Sequence, residues 1–185
     1  MFSSRGQMGA PFELLVAVIV MLFALVIGST ILNQVNQGVC INNVEKEMDE
    51  FVSFLEETAN RKTTTKFSFF PEGICFDQSK HIMSVDRHRD PIFCENNCGE
   101  PQDTCYVMTF QTPDIPLGFK AKCLNIPTFT RFIDEYDGGI CFPGSGYIEE
   151  KFQVIGAGQK IPFGTYTMKN IDDDESTSVC IIREK

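Results

Sequence analysis

The spacing of apolar residues changes twice along the chain. Leu14 to Ile27 is fourteen apolar residues without a break. Beyond it the apolar positions thin out to Ile31, Leu32, Val35, Val39, Val44, Met48, Phe51 (or Val52) and Leu55. Steps of mostly three to five keep these residues on one slowly drifting helical face. Glu45, Glu47, Asp49, Glu50, Glu56 and Glu57 occupy much of the opposite face. No proline or turn cluster intervenes before Asn60-Arg61-Lys62, and Gly38 is a single weak point. The pattern predicts one long helix from about Pro11 to Ala59, apolar all round in its first half and amphipathic in its second.

After Lys62 the texture shortens to apolar or alternating runs separated by Gly, Pro, Asn and Asp. These predict strands at Lys66–Phe70, Ile82–Val85, Cys105–Gln111, Gly118–Leu124, Ile140–Phe142, Tyr147–Ile155, Thr165–Lys169 and Ser178–Arg183. Alternation is clearest in Phe119-Lys120-Ala121-Lys122-Cys123, with two lysines on one face and three small or apolar residues on the other. Phe67 and Phe69 share a face. The expected fold is α+β: a long N-terminal membrane helix over residues 7–60, then a small, mainly antiparallel β head over 61–185. The head's sheet packs on the polar half of the helix, with a core supplied by several of the chain's seventeen Phe.

The apolar run is long enough to matter for location. Pro11 to Leu32 is 22 residues, about 33 Å as a helix, against a hydrocarbon core of about 30 Å. Arg5 flanks the near side, and the first charges beyond the run are Glu45 and Lys46. The positive-inside bias then puts the N-terminus in the cytoplasm and the head outside the cell. A secretory signal is the rival reading, with Arg5 as n-region, Leu14–Ile27 as h-region and Gly28-Ser29-Thr30 as cleavage zone. Glu13 at the head of the apolar run, and a helical stripe that continues past residue 30, weigh against it.

Charge and cysteines narrow the class. The net charge is −9; removing Arg5 and Glu13 from 16 basic and 25 acidic residues leaves 15 and 24 beyond Leu32, again −9. An acidic head without a basic stripe argues against a nucleic-acid partner. Arg87-His88-Arg89, followed at once by Asp90, reads as a solvated loop. Cys40, Cys75, Cys94, Cys98, Cys105, Cys123, Cys141 and Cys180 all follow the apolar run. An even count on the exported side predicts a disulfide framework, although eight cysteines allow about 105 pairings. Cys40, in mid-helix, is tied either to its own head or to another subunit.

Arg5-Gly6-Gln7, then an apolar helix headed by Glu13, then a cysteine-rich external part, resembles a type IV pilin-like protein with a class III signal peptide, of the archaeal kind. The resemblance implies that residues 1–6 are a leader, cut between Gly6 and Gln7 by a prepilin peptidase-like enzyme. It implies a membrane-held subunit that later packs by its helix in a homo- or hetero-oligomeric cell-surface filament. Cutting there leaves Glu13 as the seventh residue, where the family's glutamate is usually fifth; cutting after Gly9 would leave it fourth. The resemblance covers residues 5 to about 32 and the helix-then-head layout. The alternative is a permanently anchored, single-pass extracellular binding or adhesion module.

Glu13 itself allows two readings. Pro11 suits a first helical turn, and a carboxylate there is favoured by the helix dipole with no further role. In a filament core the same carboxylate would be dehydrated, and the amino group of Gln7 on a neighbouring subunit could neutralise it. Catalytic signals are thin. His81 and His88 are the only histidines, and no G-x-S-x-G, H-E-x-x-H or Walker A sequence occurs. Gly144-Ser145-Gly146 reads as a loop. Val154–Gly158 lacks the third glycine and βαβ setting of a dinucleotide site. Cys94-Glu95-Asn96-Asn97-Cys98 reads as a polar disulfide-bearing loop, since zinc would need a second ligand pair. Asp172-Asp173-Asp174-Glu175 lacks the spacing of a calcium loop and reads as a solvated turn. The expectation is a structural protein, not an enzyme, with no cofactor or metal.

Overall fold

The computed structural model describes residues 10–70, 80–99, 102–113, 119–142, 151–173 and 176–185. Arg5, Gly6, Gln7, Cys75 and Gly144-Ser145-Gly146 lie outside the described residues. The chain divides into two compact units, Met1–Val39 and Cys40–Lys185. Helix α1, Ala10–Arg61, contributes to both and is close to the predicted span.

In the second unit, α1 presents Val44, Met48, Phe51, Leu55 and Ala59 to the core. These recur at steps of four and three, the spacing of one helical face. Phe51 is the centre of the aromatic cluster. Its ring meets those of Phe67 (5.5 Å), Tyr166 (5.7 Å) and Phe69 (6.4 Å), each close to edge-on, the arrangement aromatic quadrupoles favour. The helix ends where its last carbonyls find side chains. Asn170 Nδ2 donates to the carbonyls of Thr58 and Ala59 at 3.1 Å each, and Lys62 follows in the left-handed region, φ 54°. Glu56 accepts from the Asn125 N–H at 2.6 Å, and Asn60 donates to the Asn125 carbonyl.

The head's strands form two sheets instead of the single one expected. The first holds β1 (Thr64–Phe69), β7 (Gly164–Asp173), β8 (Ser176–Glu184), β5 (Arg131–Phe132) and β6 (Phe152–Ile155), with order β1-β7-β8-β5 and β6 also paired to β8. All its pairs are antiparallel except β5 with β8, which is parallel. The second is an antiparallel meander of β2 (Ile82–His88), β3 (Cys105–Gln111) and β4 (Phe119–Leu124). Gly158 and Ile161 donate to the carbonyls of Val85 and Met83, so the 158–161 segment runs along the outer edge of β2.

Four sequence expectations are corrected. Cys94–Cys98 is not a loop: it ends helix α2, Pro91–Cys98, with Pro91 in the first turn. Asp90 Oδ1 caps it, accepting from the N–H groups of Ile92 and Phe93. Arg87 and His88 are not loop residues but the end of β2, and the His88 ring stacks on Phe93 at 4.0 Å. Ile140–Phe142 is not a strand, because Gly138–Cys141 winds into a 3-10 turn. Asp172 and Asp173 are not turn residues; they continue β7, in register with Thr177 and Ser176. The glycines of the 156–158 turn serve packing: a Cβ on Gly156 would come 2.8 Å from the Asp134 Cβ, and Gly158 has φ +77°.

The framework of disulfides is realised within one chain. Cys94–Cys105, Cys98–Cys123 and Cys141–Cys180 are bonded. The first two staple α2 to the face of the β2-β3-β4 sheet, around buried Val107. The third closes a second small core with Ile133, Val154 and Ile182. Cys40 is also disulfide-bonded.

Candidate functional site

The first unit is set apart by what it leaves uncovered. From Phe12 to Val39 the large side chains of α1 are exposed, Leu14, Met21, Phe23 and Leu25 among them. Soluble chains rarely leave so large a contiguous apolar surface in water, and such surfaces mark membrane or protein contacts. By length and composition the segment can cross a membrane. About 31 Å of helix lies between Phe12 and Leu32, matching a hydrocarbon core.

Polar groups inside this stretch are satisfied locally. Ser29 Oγ and Thr30 Oγ1 both donate back to the Val26 carbonyl, at 2.9 and 2.8 Å. Hydroxyls folded back in this way can lie in an apolar layer without open hydrogen-bonding capacity. The small-residue zone that suggested a cleavage site is therefore continuous helix. Glu13 stands in the first turn of α1 and is exposed, where the N–H groups at the helix start favour a carboxylate.

Projected at about 100° per residue, Glu13, Ala17, Ala24 and Gly28 fall within roughly 60° of one another. Met21 and Ile31 stand at the edges of this stripe. A Cβ on Gly28 would meet nothing within 4 Å, so packing within the chain does not require glycine there. Small residues on one face are what allow two membrane helices to approach closely. The stripe escaped the sequence reading, which weighed the segment by hydrophobicity alone; the seven- and four-residue spacing of Ala17, Ala24 and Gly28 carries the signal.

The second unit holds α1 to the head by charge as well as by its core. Lys120 Nζ lies 2.7 Å from Glu45 Oε2. Lys122 Nζ lies 3.2 Å from Glu45 Oε1 and 2.9 Å from Asp49 Oδ1. The lysine face of β4 is thus turned toward α1, while Cys123 on the opposite face reaches α2. Hydrogen bonds from Lys120 and then Lys122 hold the Glu45 carboxyl below its ordinary value. The hydrogen bond to Asp49, followed by that to Glu45, raises Lys122 against an opposing desolvation. Each of Glu45, Lys120 and Lys122 keeps about a third of its side chain in water, so these pairs orient the helix more than they stabilise it.

Of the residues singled out in the sequence, Glu13 lies on the exposed apolar helix, and the described cysteines are built into the head. His81 is buried and stacks on Phe163 at 4.0 Å, as a core residue. Among the described residues no group of three or more His, Cys, Asp or Glu is placed to hold a metal ion. No protein-family model, curated protein or solved structure matches the chain.

Proposed function

We propose that this chain is a structural subunit, major or minor, of a type IV pilus-like cell-surface filament of the archaeal kind. The observation that carries the reading is the exposed apolar surface of α1, which bears Glu13 and a small-residue stripe on one face. Before assembly the segment lies in the membrane as a single pass, with the N-terminus cytoplasmic and the head extracellular. A prepilin peptidase-like enzyme cuts between Gly6 and Gln7. Assembly then exchanges lipid-facing surface for helix–helix contact along the Ala17–Gly28 stripe. In that packed core Glu13 loses water, and the new amino group of Gln7 on a neighbour neutralises it. The disulfide-stapled, acidic head forms the outer layer.

The test is the N-terminal residue of the membrane-extracted protein, read by mass spectrometry and paired with negative-stain imaging of cells. A start at Gln7 (or Ala10) together with filaments is expected. An intact Met1 without filaments would instead favour a permanently anchored extracellular binding or adhesion module. A start near Ile31 would make it a secreted protein. Glu13→Ala is expected to be processed normally yet fail to form filaments; normal filaments would refute the pairing.

A further inference from the structure

The head carries a cleft that neither the membrane segment nor the ionic docking of α1 uses. It encloses about 480 Å³ and is lined by Arg87, Tyr106, Phe129, Thr130, Arg131 and Phe132. That size lies in the range of small-ligand pockets, about 300–1,000 Å³. Its floor is rigid. Tyr106 and Phe132 are buried and meet edge to face at 5.6 Å, and the Tyr106 hydroxyl donates to the Thr130 carbonyl. Ala157 closes the far side, on a turn fixed by the hydrogen bond from Gly158 to Val85.

Two groups in this cleft are unspent. The Arg87 guanidinium lies over the Tyr106 ring, 5.8 Å from its centroid, and has no carboxylate partner among the described residues. Arg131, by contrast, is held by Asp137. Phe129 stands at the rim with 79% of its surface exposed. Burial pushes the Tyr106 phenol above its ordinary value while the charges of Arg87 and Arg89 pull it down. Two cationic groups therefore act on this floor, in a chain whose net charge is −9.

We propose that this cleft binds a carboxylate-bearing sugar, an acidic unit of a surface saccharide. Such a ligand supplies a match for each unspent group. Its carboxylate pairs with the planar fork of Arg87. The apolar C–H face of the ring lies on Phe129. A neutral sugar would leave Arg87 without its match, and a simple inorganic anion would leave Phe129 uncovered. The inference stands whether the chain is a filament subunit or a permanent anchor, since the cleft lies wholly within the head.

The experiment is calorimetric titration of the full chain in phosphatidylcholine nanodiscs with three probes: tetragalacturonate, a hyaluronan tetrasaccharide and sialyllactose. Saturable binding of at least one is expected. Esterifying the carboxylates of that probe should weaken it about tenfold or more, the scale of a charge-assisted pair. Arg87→Gln should weaken the free acid by a similar factor, and should not change the already weak binding of the ester. Phe129→Ala should weaken both forms alike, by roughly three- to tenfold. Arg87 and Phe129 are exposed, and mass spectrometry of the disulfides checks that each variant is folded. Failure of all three probes to bind, equal binding of acid and ester, or unchanged affinity in Arg87→Gln would each overturn the proposal.

Discussion

Phe51→Ala probes how the amphipathic half of α1 is held in the head. Phe51 is fully buried and touches three aromatic rings at 5.5–6.4 Å. Removing the ring forfeits about 1.5–3 kcal/mol of apolar burial, plus about 0.5–1.5 kcal/mol for each well-formed ring pair. These contributions sum to about 3–7.5 kcal/mol for three ring pairs, and the range found for Phe-to-Ala changes in cores narrows the expected loss to about 3–5 kcal/mol. For a chain of this size, this lowers the midpoint of thermal unfolding by about 6–20 °C. The assay is near-ultraviolet circular dichroism of the oxidised full chain in detergent micelles, with Phe54→Ala as the control. Phe54 is only partly buried and, among the described residues, its ring pairs with that of Phe67, at 5.4 Å, so its loss should be about 1–2 kcal/mol. A Phe51→Ala cost below about 1 kcal/mol, or one no larger than that of Phe54→Ala, would refute the central place given to this ring.

Lys122→Met should cost only about 0.5–1 kcal/mol, because its partners are partly hydrated, and should cost nothing in an Glu45→Gln/Asp49→Asn background; a double-mutant cycle measures this. The same cluster sets a pH window. Glu45 titrates below 4.5 when folded, so its contribution is complete above 4.5 and lost as pH falls through the folded value. Lys122 titrates above 10.5, so its contribution is complete below 10.5 and lost as pH rises through the folded value. Denaturant midpoints against pH should fall at both ends, and Glu45→Gln should flatten the acid limb. Replacing both Cys141 and Cys180 by Ser opens a loop of sequence separation 39 and should cost about 4 kcal/mol by chain entropy, read from urea unfolding. Gly28→Leu should leave the head's unfolding unchanged while abolishing helix–helix cross-linking in membranes; undiminished cross-linking would remove the stripe from the packing face.

Local periodicity alone determined the main division of this molecule. A fourteen-residue apolar run and a 3.6-residue stripe beyond it can hardly be anything but helix, and α1 spans Ala10–Arg61 much as expected. Strand β3 was legible to the residue, Cys105–Gln111, because β-rich residues there are bounded by polar ones. Helix α2 was legible in principle, since Asp90-Pro91 is a cap followed by a first-turn proline. Its polar composition and close cysteines masked that signal.

What the tertiary structure decided is everything that depends on partners distant in sequence. Period two put Lys120 and Lys122 on one face, but only the approach of Glu45 and Asp49 on α1 made that the inward face. The parallel pairing of β5 with β8 rests on two residues and has no local pattern. Disulfide choice follows the same logic: cysteines 11, 25 and 39 residues apart meet because packed elements carry their Cα atoms to 5.4–5.9 Å. The Arg87 cleft is assembled from β2, β3, the 129–132 segment and the turn at Ala157. Burial and partner choice are properties of the packed whole, and a one-dimensional pattern records them only where one face meets one neighbour throughout.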